Sequence, residues 1–211
     1  MINVVDLANS VVEGHVSRAA ELTCQALKAG MPAKKILDNG LLPAMGRIGS
    51  SFEKGEIFLP ELLMAGDAMK AVIELLRPEL AKRGASYAGK YAIGTVQGDL
   101  HDIGKNIVIL MLEGNGWEVT DLGIDVSPEH FCEAIKNKDF DILGMSALLT
   151  FTMPKMAETI SALKAAGLRN RVKIMVGGVP VAQSFADQIG ADAYAKDAVE
   201  AVAKANRLLK K

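Results

Sequence analysis

Tyr91-Ala92-Ile93-Gly94-Thr95-Val96 runs straight into Gln97-Gly98-Asp99-Leu100-His101-Asp102-Ile103-Gly104-Lys105-Asn106. The first six residues are largely apolar and show little alternation, as in a strand covered on both faces. The polar, glycine-containing loop then gives way to a helical pattern at Ile103–Leu112, so strand passes to helix within a few residues. The same alternation continues along the chain. Strands are predicted at Trp117–Leu122, Ile142–Ser146, Val172–Val176 and Ala191–Ala195. Helices are predicted at Pro128–Lys136, Pro154–Ala165, Val181–Gln188 and Val199–Leu209. Five β-α units in succession predict a parallel, doubly wound, Rossmann-like (flavodoxin-like) sheet of five strands.

Upstream the punctuation differs. Apolar residues recur at three and four spacing in Val4–Val12 and Val16–Leu27, then over 33–53, and again from Leu59 to about Arg83. Gly14 separates the first two runs, and Gly30-Met31-Pro32 closes the second. The expectation is an N-terminal four-helix bundle over 1–84, a small-residue linker at 84–89, and an α/β domain over 90–211.

Composition narrows the functional classes. Lys and Arg total 24 against 25 Asp and Glu, so no overall basic field awaits nucleic acid or an anionic membrane. Cys24 and Cys132 lack the number and spacing of a disulfide framework or a Cys-x-x-Cys zinc site. No apolar run is long enough to span a bilayer, and the start of the chain lacks the pattern of a secretion signal. These features lead us to expect a cytoplasmic protein.

Ligands of doubly wound sheets sit beyond the carboxyl ends of the strands, which here is the 97–106 loop. It holds no G-x-G-x-x-G fingerprint and no phosphate loop, and no nucleophile stands beside His101. A neutral imidazole is a strong transition-metal ligand, and Asp99, two residues earlier, can fix its tautomer. A surface or helix-capping histidine is the plainer alternative, and for His15 and His130 it is the preferred one.

The pattern Asp99-x-His101-x-x-Gly104 at the head of the first helix resembles the signature of methionine-synthase-type cobalamin-binding domains. Two further elements fit. After Gly104, 41 residues intervene before Ser146-Ala147-Leu148, similar to the family's Ser-x-Leu; after Leu148, 28 intervene before Gly177-Gly178, similar to its Gly-Gly. Phe52-Glu53-Lys54-Gly55-Glu56-Ile57-Phe58-Leu59-Pro60 resembles the family's helical cap segment. The resemblance covers nearly the whole chain and points to methyltransferase cognate corrinoid proteins. Thr152 stands where methionine synthase has a serine, so a hydroxyl is kept in the relay behind the histidine.

The resemblance implies cobalamin or a related corrinoid as cofactor, methylcobalamin when loaded. His101 would be the lower axial ligand to cobalt and Asp99 its proton-sharing partner. Gly98, Leu100, Asp102, Ile103 and Gly104 would line the same loop. Ser146, Thr150, Gly177 and Gly178 would enclose the cofactor's nucleotide tail, Leu148 and the relay residue Thr152 would complete the cofactor-binding set, and Phe52 and Leu59 would shield the upper face. It implies a methyl carrier cycling between Co(I) and methyl-Co(III). Its partners would be a substrate-specific methyltransferase, an acceptor-side methyltransferase passing the methyl to tetrahydrofolate or to a thiol such as coenzyme M, and a reductive activator. Both transferases must reach cobalt past the cap, so a hinge is expected near 84–89. Rival readings are a cobalamin-dependent sensor, a mutase-type subunit, which normally lacks the cap, and a flavodoxin-like module without corrinoid.

Overall fold

A computed structural model describes residues 3–82 and 87–209. The chain divides into two compact units, 1–87 together with 113–116, and 88–112 together with 117–211. Of the expected linker, residues 84–86 lie outside the described residues.

The first unit is helical: α1 (Val4–Val12), α2 (Val16–Lys28), α3 (Ala33–Ile36), a π-helical turn (Leu37–Leu41), α4 (Leu42–Glu53) and α5 (Leu59–Lys82). Asn3 Oδ1 accepts the Val5 N–H and caps α1. The Gly14 and His15 amides close its other end by donating to Val11 O and Ser10 O. Residues 33–53, expected as one helix, form α3 and α4 joined by the wider turn. Pro43 explains the difference: it has no N–H, and its ring crowds the carbonyl four residues back. Leu42 accordingly donates to Leu37 O, five residues earlier. The apolar stripes meet in a core of Leu7, Val11, Leu22, Ile36, Met45, Leu62, Met69 and Leu76. Buried alanines Ala19, Ala26, Ala65 and Ala68 let α2 and α5 pack closely along their lengths.

The second unit alternates β1 (Lys90–Thr95), α6 (Ile103–Gly114), β2 (Glu118–Asp121), α7 (Pro128–Asn137), β3 (Ile142–Ser146), α8 (Pro154–Ala165), β4 (Lys173–Gly177), α9 (Gln183–Ile189), β5 (Ala193–Ala195) and α10 (Ala198–Leu209). All neighbouring strands pair in parallel, in the order β2-β1-β3-β4-β5. The expected five-stranded doubly wound sheet is thus observed. Val96, expected as the end of the first strand, pairs with Val126 as a single bridge beyond β1. The last two helix–strand boundaries also shift, α9 beginning at Gln183 and β5 at Ala193.

Alternate residues serve opposite faces, as the pleat requires. Ala92, Leu143, Met145, Ile174 and Val176 pack with Phe131 and Ile135 of α7 and with Met156, Ile160 and Leu163 of α8. On the other face the Tyr91 and Trp117 rings meet edge to face at 5.9 Å. Tyr91 Oη donates to Met175 Sδ at 3.4 Å, and burial pushes its phenol well up. Trp117 Nε1 donates to Asn206 Oδ1 at 3.0 Å, tying α10 to this face. Before β5, half-buried Asp192 gathers Arg169 at 2.8 Å, Lys173 at 3.1 Å and the Ile174 amide at 2.8 Å. Burial opposes its ionisation, but those hydrogen bonds and the Arg169 charge hold the carboxyl below its ordinary range.

Among the described residues, no helix is long and apolar enough to cross a membrane.

Candidate functional site

The strand order reverses between β1 and β3, whose carboxyl ends open the crevice where such sheets bind ligands. The loops leaving these two strands meet at Asp99. Its carboxylate is fully buried, although its loop is on the surface. Oδ1 lies 2.7 Å from His101 Nδ1 and accepts the His101 backbone N–H at 3.1 Å. Oδ2 accepts the amides of Leu148 at 2.7 Å and Leu149 at 3.4 Å. It also lies 2.8 Å from Thr152 Oγ1, whose single proton is offered to it and to Leu149 O at the same distance.

Burial alone would raise the Asp99 pKa. Hydrogen bonds from the Leu148 amide, the His101 ring and amide, and the Thr152 hydroxyl outweigh it and hold the carboxyl at about 2. An ionised Asp99 can only accept, so His101 Nδ1 carries a proton, and in the neutral imidazole the lone pair is on Nε2. The His101 side chain is 51% exposed, so Nε2 is available to a ligand. The buried Thr95 hydroxyl donates to His101 O at 2.9 Å and fixes the loop from beneath.

Of the other loop residues, Leu100, Asp102, Ile103 and Gly104 are exposed, and a side chain at Gly104 would meet nothing within 4 Å. Asp102 O accepts the Asn106 N–H at 2.8 Å, opening α6. Ser146 ends β3 half-buried, Leu148 and Thr150 are exposed, and Thr152 is buried. Gly177 and Gly178 answer first to the fold itself. Gly178 has φ +125°, and a Cβ there would stand 1.9 Å from Ala147 O; on Gly177 it would stand 2.9 Å from Ala195 O. Only glycine lets the β4 loop approach the β3 loop this closely. The structure thus joins Asp99, His101, Leu148 and Thr152 in one hydrogen-bonded cluster.

Phe52 and Leu59 lie in the helical unit, both half-buried, on either side of the α4–α5 turn. Glu61 Oε2 accepts the Phe58 N–H at 3.0 Å, half of a capping box that starts α5. Phe58, Leu63 and Met64 at this end are exposed. His15 pairs with Glu13 at 3.2 Å and His130 is exposed on α7, consistent with surface roles for both.

Several participants carried no sequence signal. The Leu148 and Leu149 donors are backbone amides, which any residue type provides. Thr95 could have been suspected as a buried hydroxyl at a strand end. Lys105 is almost wholly buried, with Nζ 2.7 Å from Asp121 Oδ2 and 2.9 Å from Asn106 Oδ1.

The donor set suits one kind of metal. Among the described residues, no group of three or more His, Cys, Asp or Glu could hold an ion unaided. A single oriented imidazole serves a metal that arrives with most of its coordination filled by its own macrocycle. Around it stand exposed Leu100, Ile103, Ile124, Leu148, Phe151 and Val179, an apolar surface suited to the rim of a broad ring. The residues therefore fit a corrinoid.

Comparison with known proteins agrees. The B12 binding domain family matches residues 89–203, and a second B12 binding domain family matches residues 5–77. The chain is 43% identical over 212 residues to dimethylamine corrinoid protein 3 of Methanosarcina acetivorans, covering 99% of this chain and 100% of that one. A crystal structure of a cobalamin-binding protein from Desulfitobacterium hafniense superposes with a TM-score of 0.80 at 34% identity, covering 99% and 100% of the two chains. A chain of the methanol:cobalamin methyltransferase complex of Methanosarcina barkeri superposes with a TM-score of 0.86 at 31% identity, covering 99% of this chain and 80% of that one. With a helical and an α/β B12-binding domain in one chain, the protein belongs to the family of methyltransferase cognate corrinoid proteins.

Proposed function

We propose that this corrinoid protein carries methyl groups between partner enzymes, with His101 Nε2 as the lower axial ligand to cobalt. The observation that carries the reading is the 2.7 Å contact between buried Asp99 and His101 Nδ1 at the β1/β3 crevice, which leaves Nε2 exposed. When bound, the corrinoid supplies a cobalt centre able to accept and release a methyl group. The protein's residues orient, tune and shelter it. Asp99 fixes the imidazole tautomer and orientation, and the Thr152 hydroxyl extends the path by which a proton reaches or leaves the pair. Gly98, Leu100, Asp102, Ile103 and Gly104 form the seat beside the imidazole. Ser146, Thr150, Gly177 and Gly178 line the proposed course of the nucleotide tail, and Leu148 adds apolar cover. Phe52 and Leu59 would exclude water from the opposite face of the cofactor.

A separate methyltransferase would load the carrier, a second would unload it to tetrahydrofolate or a thiol, and a reductive activator would rescue oxidised protein. Methylated amines are the favoured donors, because relatives named as dimethylamine and trimethylamine corrinoid proteins are 43% and 45% identical to this chain. Methanol is the second choice, on the likeness to the methanol:cobalamin methyltransferase complex. The test reconstitutes the protein with hydroxocobalamin, reduces it, and offers each donor with its methyltransferase while the cobalt absorption bands are followed. Donor-dependent methylation that is lost in His101→Ala is expected. Transfer at an unchanged rate in that variant would contradict the ligand role.

A further inference from the structure

The segment from β2 to α7 runs beside the ligand loop and grips it from both directions. The Leu122 amide donates to Ile93 O at 2.7 Å, Thr95 N–H to Gly123 O at 3.0 Å, and Val126 N–H to Thr95 O at 2.9 Å. Where the two chains part, Asp125 closes the pairing with a reciprocal contact. Its backbone N–H donates to Asp99 O at 3.0 Å, and its carboxylate Oδ1 accepts the Gly98 N–H at 2.7 Å. Asp125 has φ +52° and is the one non-glycine with positive φ among the described residues. Aspartate tolerates this region better than most side chains but still adopts it at a cost. A left-handed residue kept beside a functional loop points to a role for its side chain. Gly98 itself sits at φ +81°, and at this first residue of the turn that presents Asp99 and His101 the amide is held by the Asp125 carboxylate, while Val96 O and Thr95 Oγ1 hold the turn further on.

We propose that Asp125 is a positioning residue that acts through His101: it sets the 98–101 turn so that the imidazole is presented ready to ligate. This rests on the reading of His101 as the cobalt ligand. Asp125 hydrogen-bonds the backbone of Gly98 and Asp99, on which the imidazole and the Asp99 carboxylate ride. Lys105 and Asp121 brace the far side of the same segment, since Asp121 Oδ1 accepts the Gly123 N–H at 2.9 Å while Oδ2 holds the Lys105 ammonium.

The test is a double-mutant cycle on the full chain, titrating apo-protein with hydroxocobalamin and following absorption. Asp125→Gly keeps the left-handed turn and removes only the acceptor, so the fold is expected to survive. Asp125→Asn keeps both. The expected result is binding weakened about five- to tenfold by Asp125→Gly, by less than about twofold by Asp125→Asn, and by less than about twofold when Asp125→Gly is added to His101→Ala. Equal weakening by Asp125→Gly in both backgrounds, or none in either, would overturn the proposal. Should Asp125→Gly fail to fold, amide exchange at Gly98 in the unaltered apo-protein decides: a protected amide is expected, and one exchanging at the rate of an open loop would overturn the claim. If His101→Ala binds as tightly as the natural chain, the ligation reading fails by itself, and Gly98 exchange still judges the turn.

Discussion

Asp99 shows how one side chain organises a site. It is buried yet charged, because five donors on two loops face its two oxygens. The Asp-x-His spacing was readable because both residues lie on one loop and their chemistry follows from residue type. The three β3-loop donors were not equally readable, since two are amides and the third, the Thr152 hydroxyl, was visible only through the family resemblance. Substituting Asp99 by Ala frees the imidazole, and hydroxocobalamin titration is expected to show affinity lower by about 10–100-fold. The carboxyl also links apo-protein stability to pH. Its pKa is about 2 in the folded chain against 3.8 ordinarily, so folding favours the ionised form. That contribution, about 2 kcal/mol, is fully present above pH 4 and is lost as pH falls through about 2. Urea unfolding between pH 6 and 2, read by the fluorescence of the single Trp117, is expected to lose this increment in the natural chain and not in Asp99→Asn.

Elements were the most legible level. Long apolar periodicities and short β-rich runs placed each strand and helix within a few residues, because the pleat and the helical turn impose their periods directly. The π turn escaped, since one proline signals a helix start as readily as a widened turn, and only packing decides. The glycine pair escaped differently: Gly177-Gly178 was visible, but its closeness to Ala147 O and Ala195 O belongs to the sheet, not to the local sequence. Substituting Gly178 by Ala adds a Cβ at φ +125° against a carbonyl. The expected loss is about 2–4 kcal/mol of stability, measured by urea unfolding of the apo-protein through Trp117. A change below about 0.5 kcal/mol would show that the two loops yield easily.

For the whole molecule, helical punctuation gives way to alternation near residue 84, whereas the compact units of the structure are 1–87 with 113–116, and 88–112 with 117–211. What such a change does not encode is which surface of either unit meets a cofactor or a partner enzyme, since that depends on exposed side chains rather than periods. The exposed apolar residues are the available clue: Phe58, Leu63 and Met64 in one unit, and Leu100, Phe151 and Val179 in the other. If Phe52 and Leu59 shelter the cofactor, Phe52→Ala and Leu59→Ala are expected to speed reoxidation of reduced bound cobalamin by air severalfold, with binding little changed. Unaltered reoxidation in both would remove them from that role.

The axial position of His101 can be read directly from the electron paramagnetic resonance of reduced, cobalt(II) protein grown with ¹⁵N-histidine. A two-line nitrogen splitting in place of the three-line splitting of ¹⁴N, absent in His101→Ala, is the predicted result. A three-line pattern that persists despite the label would place the cofactor's own base on cobalt and contradict the account.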